Sequence, residues 1–284
     1  MIPVEFEYAA PESLDEAIDA LAQGGEDAKL LAGGHSLLPL MKLRLAVPTM
    51  LVDLKRVPGL RGIEREDGTL RIGAMTRHAD LEDQPELGVV SRAASSIADR
   101  QVRHRGTIGG SLAHGDPASD LPAVLLACEG SVGVQGPEGT REIPAADLFE
   151  DYLTTAVAEG EVLTEVRLPA LEDYGFGYQK FVRRAEDWAM VGACALVERA
   201  GDGTCEDARV GLTHMSSVPL RATAVEEALR GSVLDAESIG RAAEAAAEGT
   251  DPPGDLNATP EYKRHLARVL TRRALEEAAG LTAA

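Results

Sequence analysis

Lys29-Leu30-Leu31-Ala32-Gly33-Gly34-His35-Ser36 is the stretch on which the reading of the fold turns. A short buried strand runs into two glycines, a histidine and a hydroxyl, and residues 37–45 then read as a helix. Paired glycines let a backbone turn with positive φ and approach a ligand closely. Successive N–H groups there can form an anion-binding nest, to which the following helix adds its positive end. Working outward, residues 4–8 suit a strand. Ser13 followed by Glu16 is a capping box, and Ala17, Ile18 and Leu21 give one apolar helix face that Gly24-Gly25 ends. Met50-Leu51-Val52-Asp53-Leu54 is a further strand. The opening is therefore a βαβ unit with a glycine turn, which by itself serves equally as a plain strand–helix connection.

A second glycine pair sharpens the reading. Gly106-Thr107-Ile108-Gly109-Gly110-Ser111 lies in a Gly-rich section after Arg100, Arg103, His104 and Arg105, a local positive cluster. Two such loops on two subdomains could clamp one pyrophosphate from both sides. Neither is Gly-x-Gly-x-x-Gly, so no Rossmann site is indicated, and Gly175-Phe176-Gly177 lacks the rest of that fingerprint. Asp116-Pro117-Ala118-Ser119-Asp120 follows; a carboxylate there either accepts from sugar hydroxyls or caps the helix expected over 121–128.

Hairpins are expected across Glu66-Asp67-Gly68 and Gly136-Pro137-Glu138-Gly139, helices near 76–83 and 89–99, and a strand over 161–168. The pattern changes around Leu171 to Gly175. Beyond it come three strands (176–183, 190–199 and 206–214) and then helices at 221–230, 235–248 and 260–279. The expected architecture is α+β, with an N-terminal domain over 1–172 in two subdomains (about 1–56 and 57–172). A C-terminal antiparallel sheet plus helical bundle fills 173–284.

Composition narrows the function. With 28 Lys+Arg against 47 Asp+Glu, the 284-residue chain carries a formal charge of −19, which repels nucleic acid and anionic lipid. No apolar run approaches the ~20 residues of a membrane span. Met1 to Glu7 lacks the pattern of an export signal, so a cytoplasmic chain is expected. Cys128, Cys194 and Cys205 form no Cys-x-x-Cys pair and read as small buried hydrophobes, so the chain holds no cluster or zinc ribbon on its own thiolates. There is no metal-ligand spacing among the histidines and no Gly-x-Ser-x-Gly elbow. Trp188, the only tryptophan, reads first as a packing anchor and second as a cofactor contact. Arg264, Arg268 and Arg272, with Lys263 and Arg273 beside them, form a helical stripe: either a solvated face or a docking surface for an acidic partner.

Ala32-Gly33-Gly34-His35-Ser36 together with Thr107-Ile108-Gly109-Gly110 resembles the FAD-binding medium subunit of the molybdenum hydroxylases. That family includes aerobic carbon monoxide dehydrogenase and the flavin domain of xanthine dehydrogenase, and the likeness spans nearly the whole chain. It implies a two-subdomain (PCMH-like) FAD domain and a C-terminal domain of antiparallel sheet plus helices. FAD would rest on Leu31, Ala32, Gly33, Gly34, His35, Ser36 and Leu37, and on Thr107, Ile108, Gly109, Gly110 and Ser111. Asp120 would lie at the ribose region, and Leu163 and Lys180 near the flavin. Ser111 stands where similar chains carry Asn; near Trp188 the carbon monoxide dehydrogenase type has a tyrosine, and a tryptophan there could still cover the flavin face. No catalytic acid–base residue and no metal ligand is expected here. The resemblance further implies a large molybdenum-cofactor subunit and a small subunit with two [2Fe–2S] clusters. Quinone, NAD or oxygen would be the external acceptor, and the complex could associate with the inner face of the membrane. The substrate is expected to be carbon monoxide first, then a purine, aldehyde or N-heterocycle. The alternatives are a self-sufficient flavin oxidase, with FAD held covalently by His or Cys, and a non-redox nucleotide-binding module.

Overall fold

The computed structural model describes residues 2–281, and three larger sheets and a two-stranded ribbon divide them. The two ends of the expected domains, residue 1 and residues 282–284, lie outside that range. The first sheet is parallel, ordered β1 (Glu7–Ala9), β3 (Met50–Asp53), β2 (Ala28–Leu31). Helix α1 (Leu14–Gly24) starts where Ser13 accepts the Glu16 N–H and stops at Gly25, whose φ of 67° suits glycine. It buries Ala17 and Ile18 against Val52 and Leu54. Helix α2 (Leu37–Leu43) leads from the glycine turn back toward β3.

The second sheet is antiparallel and starts with the hairpin of β4 (Ile63–Glu66) and β5 (Thr69–Gly73). Its two-residue Asp67-Gly68 turn has both φ values positive, matching the right-handed strand twist. Five short helices follow: α3 (His78–Glu82), α4 (Val89–Ser95), α5 (Arg100–Arg103), α6 (Ile108–His114) and α7 (Asp120–Ala127). Strands β6 (Ser131–Gly136) and β7 (Gly139–Pro144) form the other hairpin. Helix α8 (Ala145–Leu148) and the small ribbon of β8 (Phe149–Asp151) with β9 (Thr154–Thr155) then lead to β10 (Val162–Leu168). The order is β4-β5-β10-β6-β7, so the last strand enters the middle.

Two expectations change here. The section from 106 to 120 is loop only in part: Thr107 caps α6, its Oγ1 accepting the Gly110 N–H at 3.2 Å, and the glycine pair lies in the first helical turn. The helix expected over 89–99 ends at Ser95. The Arg103 guanidinium, 10 % exposed, donates to the carbonyls of Ile97 (2.8 Å) and Ala98 (3.0 Å), pulling Ala98 to a φ of +41°.

The third sheet, β11 (Tyr174–Phe181), β12 (Val191–Arg199), β13 (Cys205–Thr213) and β14 (Leu220–Arg221), is antiparallel and covered on both faces. Val191, Ala193, Ala195 and Val197 of β12 join a core with α9 (Thr223–Leu229), α10 (Ala236–Ala243) and α11 (Pro260–Ala278). Cys194 and Leu196, on the alternate face, join the core of the second sheet. Glycine makes both contacts possible. A Cβ on Gly177 would lie 2.1 Å from the Ala274 carbonyl oxygen of α11, and one on Gly211 would lie 2.2 Å from that of Ala123 in α7. Gly175-Phe176-Gly177 is thus a helix seat.

The C-terminal basic stripe is not free. Lys263 is fully buried on Asp255 (2.8 Å), while Arg264, Arg268 and Arg272 face Asp251, Glu244 and Glu276 of the same chain. No helix among the described residues is long and apolar enough to cross a membrane.

Candidate cofactor site

The glycine turn after β2 and the start of α6 meet. A Cβ on Gly33 would fall 2.3 Å from the Arg105 carbonyl oxygen and 2.8 Å from Gly106 Cα, so the two backbones are in direct contact only because residue 33 has no side chain. Gly34 takes a φ of +77° to complete the turn. Between Gly33 and Leu37 five consecutive N–H groups find no acceptor among the described residues. Backbone donors left open in a row are the elements of an anion nest. By contrast, the N–H groups of Ile108 and Gly109 already bond the carbonyls of Thr76 (3.0 Å) and Ala74 (2.9 Å). The second glycine pair therefore contributes shape: Gly109 fits over Ala74 and Gly110 beside Ala32.

These walls enclose a cavity of about 500 Å³, within the ~300–1,000 Å³ of small-molecule sites. Of the residues the sequence singled out, Ala32, Gly33, Gly34, His35, Ser36, Leu37, Thr107, Gly109, Gly110, Ser111, Asp120, Leu163 and Lys180 line it. Two do not. Leu31 ends the β2 ladder opposite Asp53, and Ile108, 3 % exposed, points into the core of the second sheet.

The far wall crosses from the second sheet to the third. Asp120, first residue of α7 and 4 % exposed, receives the Tyr178 hydroxyl on one oxygen and Lys180 Nζ, at 2.9 Å, on the other. Lys180 also donates to the Ser96 carbonyl (3.1 Å), tying β11 to the end of α4. Burial raises the Asp120 carboxyl above the usual range, opposed by the Lys180 charge and the Tyr178 hydrogen bond. Both Asp120 oxygens are thus engaged by protein groups, and a sugar hydroxyl there would have to share them.

Trp188 corrects the first reading of it. It is 56 % exposed and lines the cavity with Glu186 and Asp187, on the loop between β11 and β12. A packing anchor would be buried; this indole stands at the rim.

Sequence reasoning missed His78, Ile97, Ala98 and Val102 on the wall. His78 gives its N–H to the Gly106 carbonyl (3.0 Å) and lies beneath that glycine, and its buried Nδ1 has no partner. Burial, then the charges of His35 and Arg103, push its pKa down to about 4, so the ring is neutral at pH 7. His35 is lowered too, by burial and then by Arg105, with Asp99 opposing. No motif flagged His78; its only signal was a position three residues beyond the apolar Ala74-Met75.

The chain matches the family model described as the FAD binding domain in molybdopterin dehydrogenase over residues 4–171. It matches that of the CO dehydrogenase flavoprotein C-terminal domain over 176–278. It is 44% identical to the carbon monoxide dehydrogenase medium chain of Hydrogenophaga pseudoflava, covering 98% of both chains. It is 40% identical to the 6-hydroxypseudooxynicotine dehydrogenase complex subunit alpha of Paenarthrobacter nicotinovorans, over 98% of this chain and 96% of that one. In structure it resembles a chain of Hydrogenophaga pseudoflava carbon monoxide dehydrogenase that lacks the Mo-pyranopterin moiety of the molybdenum cofactor. The TM-score is 0.95, the identity 44% and the coverage 100% of each chain.

Proposed function

This chain belongs to the family of FAD-binding flavoprotein subunits of the molybdenum hydroxylases, and we propose that it is the electron-transfer subunit of an enzyme of the carbon monoxide dehydrogenase type. In this reading electrons reach it from the [2Fe–2S] clusters of a small partner subunit. A large subunit carries the molybdenum cofactor and the substrate, and quinone, NAD or oxygen is the final acceptor. The FAD domain is taken as residues 1–172 and the C-terminal domain as 173–284. Bound FAD would supply the exchange between single electrons and pairs.

The observation that carries this reading is the backbone contact of Gly33 with Arg105 and Gly106, which sets five open N–H groups on the wall of a dinucleotide-sized cavity. Gly33 to Leu37 would hold the diphosphate, which carries the negative charge such donors favour. Asp120 and Ser119 would face sugar hydroxyls, and Leu163, Lys180 and Trp188 would border the ring system. In this reading the chain's residues orient the cofactor and tune it. The 44% identity to a carbon monoxide dehydrogenase medium chain favours carbon monoxide as substrate. The 40% identity to a 6-hydroxypseudooxynicotine dehydrogenase subunit fits a substrate pocket on another polypeptide.

The test is co-expression with candidate large and small subunits, then flavin, iron and molybdenum analysis and assay with carbon monoxide and a dye acceptor. Stoichiometric FAD with carbon monoxide-dependent dye reduction is expected. FAD with activity on an aldehyde or N-heterocycle alone would overturn the substrate, and a chain without flavin would overturn the site.

A further inference from the structure

Outside the cavity one cluster of charged and titratable groups has no part in holding a ligand. His214, the first residue beyond β13, has a φ of +62°. Left-handed backbone in a residue other than glycine is uncommon and persists only where its surroundings enforce it. Three bonds do so here. Its N–H donates to the Pro117 carbonyl (2.8 Å), on the segment that leads to Ser119 and Asp120. Its Nδ1 lies 2.8 Å from the carbonyl oxygen of Ala189, the residue after Trp188. Its Nε2 lies 3.3 Å from Lys263 Nζ, fully buried in α11 and held in turn by Asp255 at 2.8 Å.

The partners fix the protonation. A carbonyl only accepts, so Nδ1 carries the proton; an ammonium only donates, so Nε2 is the acceptor. His214 is therefore a neutral imidazole joining three pieces: the Pro117–Asp120 segment, the Trp188 loop and α11. The other ties of that loop stay within its own hairpin: the Asp187 N–H donates to the Arg184 carbonyl (3.0 Å) and the Met190 N–H to the Phe181 carbonyl (2.9 Å). The Arg183–Asp187 pair, at 3.4 Å, has a 56 % exposed arginine, and exposed pairs contribute little.

We propose that His214 is a positioning residue that sets the Trp188 loop and the Asp120 segment at one spacing across the cavity. The proposal rests on the reading of that cavity as the flavin site. His214 touches no cofactor itself; its effect passes through the Ala189 carbonyl to the indole next to it.

The sequence supplies its own probe. Trp188 is the only tryptophan, so emission from the full chain reports this loop alone, and flavin close to an indole quenches it by energy transfer. His214→Ala removes both side-chain bonds. His214→Asn keeps a donor of the reach of Nδ1 and tolerates left-handed backbone. FAD is titrated into each, following Trp188 quenching and flavin absorbance. In the unmutated chain FAD quenches the indole. In His214→Ala the quenching falls and apparent affinity drops about three- to tenfold, as it must if the competent loop position is only fractionally populated. His214→Asn restores both. If His214→Ala does not fold, His214→Gln, whose longer amide overshoots Ala189, replaces it in the comparison. Quenching and affinity equal to the unmutated chain in the Ala or Gln variant would overturn the proposal while leaving the flavin site intact. Absence of FAD binding to the unmutated chain would instead overturn the site, and the proposal with it.

Discussion

Replacing Gly33 by alanine adds one carbon where three backbone atoms already stand: the Arg105 oxygen at 2.3 Å, Gly106 Cα at 2.8 Å and the Arg105 carbonyl carbon at 2.9 Å. None is the end of a flexible side chain. Bringing the nearest pair to an ordinary contact of 3.4 Å parts the two loops by about 1 Å. A hydrogen bond of about 2.9 Å stretched by that amount is no longer one. Loss of two diphosphate bonds, at about 1.5–3 kcal/mol each, removes about 3–6 kcal/mol of binding. That is a weakening of FAD by about two to four orders of magnitude. Overpacking costs the fold itself about 1–3 kcal/mol. The control is Gly240→Ala, in α10, where a Cβ meets nothing within 4 Å. The assay is flavin content of the purified chain, then titration with FAD. A Gly33→Ala chain that retains one FAD at the affinity of the control would refute the account of the two loops meeting around the diphosphate.

Two further outcomes are expected. Lys180→Met leaves the Asp120 carboxylate buried without its cation, which should cost about 3–5 kcal/mol; the Lys180→Met/Asp120→Asn pair should recover part of it, as read in denaturant midpoints, and equal losses would count against the pairing. His78 carries a pH dependence. The unfolded ring takes a proton near 6.5 and the folded one only near about 4, so stability is full above 6.5 and falls as the pH drops between those values. The full loss amounts to roughly 3 kcal/mol, of which about 2 kcal/mol falls between pH 7 and pH 5, and chemical denaturation at those two values should show it shrink in His78→Asn; an unchanged slope would mean that the ring is not held neutral.

What could be read from the sequence was what glycine, capping and alternation encode locally. Ser13 with Glu16, Asp67-Gly68 and the apolar run of β10 each name their element because the signal lies within a few residues. The meeting of Gly33 with Arg105 was expected only as two loops sharing a ligand, since contact across more than seventy residues leaves no periodic trace. The role of Gly175 and Gly177 was missed for the same reason: a seat for a helix a hundred residues away looks like any Gly-x-Gly. His78 escaped because its distinction is the lack of a partner. Trp188 was misjudged because an indole is usually buried, and only the fold shows that residues 182–190 carry it to a rim. Lys263 was set beside the arginine stripe as one more surface cation, yet it is fully buried, while Arg264, Arg268 and Arg272 face carboxylates of the same chain.

The place of β10 in its sheet bears on how the molecule is made. The hairpin of β4 and β5 and that of β6 and β7 cannot touch until residues 162–168 have left the ribosome to lie between them. Until then the two hairpins of this sheet are separate ribbons, each too small to be stable by itself. Lys180 and Trp188 emerge later still. A nascent chain stalled before β10 has the two glycine turns but lacks Leu163, Lys180 and Trp188, so the cavity is not yet walled on that side.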